Sequence, residues 1–319
     1  VHLKAGADSE GEALEALLTE VLAAMMDAGL VKLRHVAQDG MRVRASAGSS
    51  SFRRESSLKR CLAEAQQQVA VLAAEREHPD PGHSARQEAA RERAARERQQ
   101  RVEQALRRLP QVQAAKERSK RTESKAKKAK VSEARVSTTD PEARVMKMPD
   151  GGFRPAYNLQ MATDEDSQVI VAVAVDTTGN DGGQAPPGLE QVVQRTGRRP
   201  EAYLMDGNYA RRDDVTALER CGVTVYAPTR SPRTTTSGRT KGSPRRDDTP
   251  EVVRWRERME TEQAKEIYKG RAATSECVNA HARRHGLTHL LVRGTSKVLS
   301  VLLLVAITHN LLRWVALST

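Results

Sequence analysis

Apolar positions recur at helical spacing near the start of the chain. Leu14, Leu17, Leu18, Val21, Leu22, Met25 and Met26 fall at mostly three- and four-residue intervals. That spacing predicts an amphipathic helix over residues 14–28, closed by Gly29, which tolerates the left-handed backbone of a helix end. The period then changes. Leu33, His35 and Ala37 alternate with polar or small neighbours, and Met41, Val43 and Ala45 alternate again beyond Asp39-Gly40. Residues 32–46 therefore read as a strand, a kink at Gly40, and a second short strand or a strand extension. Residues 56–123 are rich in Ala, Glu, Gln, Arg and Leu, with a break at His78-Pro79-Asp80-Pro81-Gly82. They predict two long charged helices in an antiparallel hairpin.

From residue 134 the pattern is α/β. Residues 155–163 (PAYNLQMAT) alternate as a strand, and DEDS at 164–167 is a turn. Residues 169–176 (VIVAVAVD) form a continuous β-branched run, the mark of a central buried strand. The two strands should pair as an antiparallel hairpin. Then follow a helix at 187–195, a strand at 202–206, a helix at 213–221 and a strand at 223–227. A mobile basic loop is expected over 228–250, a helical stretch over 252–284 and a last helix over 297–316. This order suits a mixed α/β sheet flanked by helices. It is the order of an RNase H-like fold with a long helical insertion after the first strand. The corresponding segments are 1–30 (an N-terminal helix), 31–55 (the first strand region), 56–133 (hairpin and basic linker) and 134–319 (the rest of the α/β domain).

Charge narrows the partners. The chain carries 53 Lys and Arg against 41 Asp and Glu, a net +12, and a surplus of this size favours a polyanion such as nucleic acid. Residues 116–130 concentrate it, as a basic linker with eight Lys and Arg against two Glu. The three cysteines, Cys61, Cys221 and Cys277, are far apart and form no CxxC pair. That argues against a disulfide framework or a zinc site and fits a reducing cytoplasm. The most apolar stretch, near the C-terminus, is interrupted by Ser300, Thr308, His309, Asn310 and Arg313. It reads as a half-buried helix and not as a membrane span.

Phosphodiester chemistry with two metal ions needs about three carboxylates held together by rigid elements. Asp206 ends the strand Tyr203-Leu204-Met205 before a Gly turn, at the carboxyl edge where open α/β sheets bind ligands. Asp39 lies in QDGMRV on the first strand, although Asp-Gly is also a hairpin signal. Asp164 competes for the first position but sits in a turn-like DEDS sequence. Glu276 lies on a predicted helix, with Arg283 seven residues on and therefore on the same face. Tyr268 and Arg271 precede it nearby.

At these residues the chain resembles the DDE transposases of bacterial insertion sequences. VAQDGMRVRAS resembles the first catalytic strand, TDPEARVMKMPDGGFRPAYNLQMATD the linker and second strand, and YLMDGNYA the strand of the second carboxylate. YKGRAATSECVNAHAR resembles the helix of the glutamate, with the Tyr-x-x-Arg lead-in. The resemblance implies an enzyme that cleaves double-stranded DNA at the ends of its element and joins the 3′ ends to a target. It implies Asp39, Asp206 and Glu276 as catalytic residues holding two Mg²⁺ ions, with Mn²⁺ as a substitute. Tyr268, Arg271 and Arg283 would contact DNA, Arg283 standing where some relatives carry lysine. A homodimer acting on nucleoid DNA in the cytoplasm, without a membrane, is the expected assembly. The helical DNA-binding region that precedes the first catalytic strand in relatives is largely missing from this sequence. Its absence raises the alternative of an inactive remnant that binds DNA nonspecifically. A metal-dependent nuclease on the same fold, which cuts without joining, and a coiled-coil nucleic-acid-binding protein built on the hairpin are the remaining readings.

Overall fold

The computed structural model describes residues 2–75, 84–121, 132–229 and 245–319. In chain order the elements are α1 (His2–Asp27), β1 (His35–Arg44), β2 (Phe52–Arg53), α2 (Glu55–Glu75), α3 (Ala85–Arg121), β3 (Val136–Ser137), β4 (Arg144–Lys147) and β5 (Phe153–Asp164). They continue with β6 (Ile170–Asp176), α4 (Ala185–Thr196), β7 (Ala202–Met205), α5 (Arg212–Arg220), β8 (Thr224–Tyr226), α6 (Pro250–Glu260), α7 (Glu262–Arg284) and α8 (Thr295–Leu317). The predicted break at 78–82, most of the basic linker and most of the loop at 228–250 lie outside the described residues.

The chain divides into two compact units. One comprises Val1–Val43, Tyr157–Leu290 and Thr295–Thr319, the other Arg44–Ala156 and Leu291–Gly294. In the first unit the strands lie in the order β6-β5-β1-β7-β8. β5 and β6 are antiparallel, from Asn158 opposite Asp176 to Thr163 opposite Ile170. β1 runs parallel to β7, and β7 parallel to β8. β6, β5 and β1 side by side, with β7 and β8 added parallel to β1, make this an RNase H-like mixed sheet. Alternation along β1 sends Ala37 to one face, where it packs with Ala202, Leu204 and Ile267 of α7, and Gln38 to the other, against Gly188 of α4. Helices therefore cover both faces. β1 continues through Asp39-Gly40 to Arg44, so the second half of the predicted pair is an extension of the first strand. The single predicted helix over 252–284 is two, because Thr261 leaves the helical backbone and caps α7 by accepting from the Ala264 N–H.

The outer edge of β6 is closed by a side chain. Asn310 on α8 donates from Nδ2 to the Ile170 carbonyl and accepts the Ile170 N–H at Oδ1, both at 2.8 Å. Its amide thus imitates a neighbouring strand on an edge that would otherwise invite pairing. His309 bonds the Gln168 carbonyl at 2.8 Å, and burial holds its imidazole below the usual range. With a mean hydropathy of 1.8, α8 is long and apolar enough to cross a membrane, so its polar interruptions are too few to break the run. Of these polar residues, His309, Asn310 and Arg313 bind backbone groups of residues 167–170. Replacing Asn310 by Ala is expected to lower unfolding free energy by about 2 kcal/mol, because two buried backbone groups lose their partners. An unchanged urea midpoint would show that water serves that edge equally well.

In the second unit α2 and α3 pair along Leu58, Ala105, Leu109 and Val112, and Ala134 and Val136 complete that core. The unit runs on from the hairpin to Ala156. β2 and β3 form a short antiparallel pair, and β4 pairs with the first residues of β5. Pro110 sits inside α3 without ending it.

Candidate active site

Two carboxylates meet because two parallel strands are in register. His35 is opposite Ala202 and Gln38 opposite Met205, so Asp39 and Asp206 come one step later on neighbouring strands. Both share the parity of Ala37 and Leu204 and so face α7. Asp206 also shapes its turn: Oδ1 accepts the N–H groups of Asn208 at 2.7 Å and Tyr209 at 3.3 Å, and Oδ2 accepts from Asn208 Nδ2 at 3.1 Å. An Asx turn of this kind fixes the carboxylate at the strand end.

Asp39 is held from α7. Its Oδ1 accepts from Arg271 Nη2 at 3.1 Å and its Oδ2 from Asn279 Nδ2 at 3.0 Å. Burial pushes its carboxyl above the ordinary range. The negative charges of Asp206 and Asp181 act in the same direction, while Arg271 and the Gly40 N–H oppose them. Half-buried Tyr268 stands in the same field. Burial raises its hydroxyl, Asp206 and Asp39 add to that, and Arg271 counters it. The structure thus brings together Asp39, Asp206, Tyr268 and Arg271.

Glu276 and Arg283 stand elsewhere. Both are exposed on the outer side of α7, and the stripe of that helix directed at the sheet carries Thr274, Ser275, Val278, Asn279 and Ala282. They do share a face, as their seven-residue spacing requires, but Asp39 takes its helix partners from another. Asp164 is not near Asp39. It is buried at the turn between β5 and β6, with Oδ1 accepting the Leu33 N–H at 2.9 Å and Oδ2 accepting from the Ser167 backbone and hydroxyl. Its role there is to hold the chain entering β1, where Leu33 adopts a positive φ of 55°.

Beneath the site, on the α4 face, lies a buried polar layer. Tyr203 donates to Gln38 at 2.8 Å, Gln38 to Gln160 at 3.0 Å, and Tyr209 also bonds Gln160. Gln160 and Asn158 both donate to Asp181 Oδ1, at 3.2 and 2.7 Å. Sequence reasoning missed this layer and Asn279. The available signal was Asn158 and Gln160 at period two within an otherwise apolar strand.

Among the described residues no group of three His, Cys, Asp or Glu side chains is arranged to hold a metal ion. Asp39 and Asp206 nevertheless suit a divalent cation. They are hard oxygen donors of the kind Mg²⁺ takes, and a cation would offset both the burial and the Asp206 charge that raise the Asp39 carboxyl. A family model described as a transposase DDE domain matches residues 112–311. The match takes in Asp206, Tyr268, Arg271, Glu276 and Arg283, and begins beyond Asp39. Neither curated proteins nor solved structures give a match.

Proposed function

Since the chain belongs to the transposase DDE domain family, we propose that it cleaves DNA strands with divalent metal and transfers their 3′ ends to a target. The observation that carries the reading is the register of β1 and β7, which sets Asp39 beside Asp206 at one sheet edge. In this reading Asp39 and Asp206 hold the Mg²⁺ or Mn²⁺ ions. Glu276 faces solvent on the outer side of α7 and is not among the ligands, since α7 keeps its inward face on Asp39 through Arg271 and Asn279. Bound divalent ions would lower the cost of negative charge on the attacking and leaving oxygens.

The protein's own groups do the rest. Arg271 lies within ion-pair distance of Asp39. A phosphate entering the site offers it a second acceptor with the geometry its planar fork matches. Only one of its donors is engaged by Asp39, and its buried Nε has no partner. Tyr268, kept protonated by burial and by the two carboxylates, donates a hydrogen bond to a strand beside the scissile phosphate. Arg283 on the exposed side of α7 contacts the DNA backbone farther away. The net charge of +12 adds salt-sensitive, sequence-independent affinity. A homodimer in the cytoplasm, engaging two element ends, is the assembly this reaction calls for.

The test is incubation of the full chain with supercoiled plasmid and a labelled 3′-end duplex in Mg²⁺ or Mn²⁺. Nicked plasmid together with label joined to it, both abolished by chelation, is the expected result. Nicking without joining would reduce the activity to that of a nuclease. Retention of DNA with neither product would favour the inactive remnant, which the exposed position of Glu276 keeps in play.

A further inference from the structure

α7 offers Asp39 a stripe of polar residues and no acid. Arg271, Ser275 and Asn279 follow one another at intervals of four, hence along one face. Ser275 and Asn279 are 4% and 8% exposed. Glu276 lies about 100° around the helix from Ser275. Arg271 and Asn279 bond opposite oxygens of Asp39, and Ser275 between them carries a buried hydroxyl without a partner. Resting on the metal-dependent reading above, we propose that Asn279 is the positioning residue by which α7 orients the Asp39 carboxylate for the metal.

The chemistry of an amide suits this task. Asn279 donates one hydrogen bond to Oδ2 and so restrains rotation of the carboxylate about its Cβ–Cγ bond. Being neutral, it does so without competing with a cation for charge, whereas Arg271 on Oδ1 does compete. When the ion arrives, Arg271 can turn to phosphate, and Asn279 remains as the only α7 contact keeping the carboxylate plane in place. Partners of a metal-binding side chain commonly change metal affinity by 10- to 100-fold when removed. Ser275, whose buried hydroxyl has no partner, does not take the place of Asn279 at Asp39.

The experiment measures Mn²⁺ binding to the full chain by the loss of the free-ion electron paramagnetic resonance signal, without DNA. Wild type is compared with Asn279→Ala, Asn279→Leu and Asp39→Asn, each checked by thermal unfolding and by DNA retention. Leu fills the volume of Asn without its donor, so packing is kept. The proposal expects both Asn279 variants to bind Mn²⁺ about tenfold more weakly or worse, with folding and DNA retention unaffected. A purely structural role would leave affinity in the Leu variant at the wild-type value, and that result overturns the proposal. If Asp39→Asn abolishes binding while Asn279→Leu preserves it, only the positioning role fails. If Asp39→Asn also preserves binding, the metal reading falls, and the positioning role with it.

Discussion

An Asp206→Asn variant is expected to lose metal-dependent strand cleavage by about three orders of magnitude or more while folding normally. The two halves of this expectation come from different atoms. Asp206 Oδ1 accepts the backbone N–H groups of Asn208 and Tyr209, and an Asn carbonyl accepts them equally well. The turn after β7 therefore survives. Oδ2 faces a side-chain amide of an exposed residue, a bond that contributes little at the surface. What Asn cannot supply is the second negative charge beside Asp39. Losing several kcal/mol of transition-state charge stabilisation at 1.36 kcal/mol per factor of ten gives about a thousandfold. Cleavage rate on a labelled duplex and a thermal melt, taken on one preparation, separate the two effects. Wild-type cleavage by a well-folded variant would remove Asp206 from the site.

Much of this arrangement was legible from period and order. The change from helical spacing to alternation at residue 32, the β-branched run before Asp176 and Gly29 after the first helix are local signals, and each element they predict is present. The antiparallel pairing of β5 with β6 followed from the short turn between them. Side-chain direction on α7 was not legible. Residues 275 and 276 differ by one step, and which of them faces the sheet depends on where Thr261 starts the helix. A reading of 252–284 as one continuous helix lacked that boundary. A seven-residue spacing tells which residues share a face but not which face is inward, so the spacing that singles out Glu276 and Arg283 carries no signal for Asn279. The buried polar layer escaped for a related reason. Gln38, Asn158, Gln160 and Asp181 are distant in sequence, and only strand pairing brings them together. That Ala134 and Val136 pack with Leu58, Ala105, Leu109 and Val112 is likewise a long-range contact that no local pattern announces.

Gly40→Ala is expected to be the most damaging single-methyl change in the sheet, costing about 3 kcal/mol or more and most of the activity. As half of an Asp-Gly pair, Gly40 suggests a turn, where glycine is used for a positive φ. Here it lies within a continuous strand, and its backbone is not left-handed. The reason for glycine is space. A Cβ at this position would stand 2.6 Å from Asp181 Oδ1, 2.6 Å from Gln160 Nε2 and 2.7 Å from Asn158 Oδ1. None of these is a free end that can swing aside, since Asn158 and Gln160 both hold Asp181 and Gln160 also bonds Gln38 and Tyr209. Overpacking costs about 1–3 kcal/mol, and breaking buried hydrogen bonds adds about 1–3 kcal/mol for each group left unpaired. Displacement of β1 moves Asp39 at the adjacent position, so metal binding falls with stability. Gly207→Ala is the matched control beside the other carboxylate. Its Cβ would meet only the Pro228 carbonyl, at 3.9 Å, and its φ is not in the left-handed range. Urea unfolding of both variants should show a large loss for Gly40→Ala and a small one for Gly207→Ala. Equal losses would mean that glycine serves a common backbone need at the two Asp-Gly pairs, and that the polar layer yields to a methyl group.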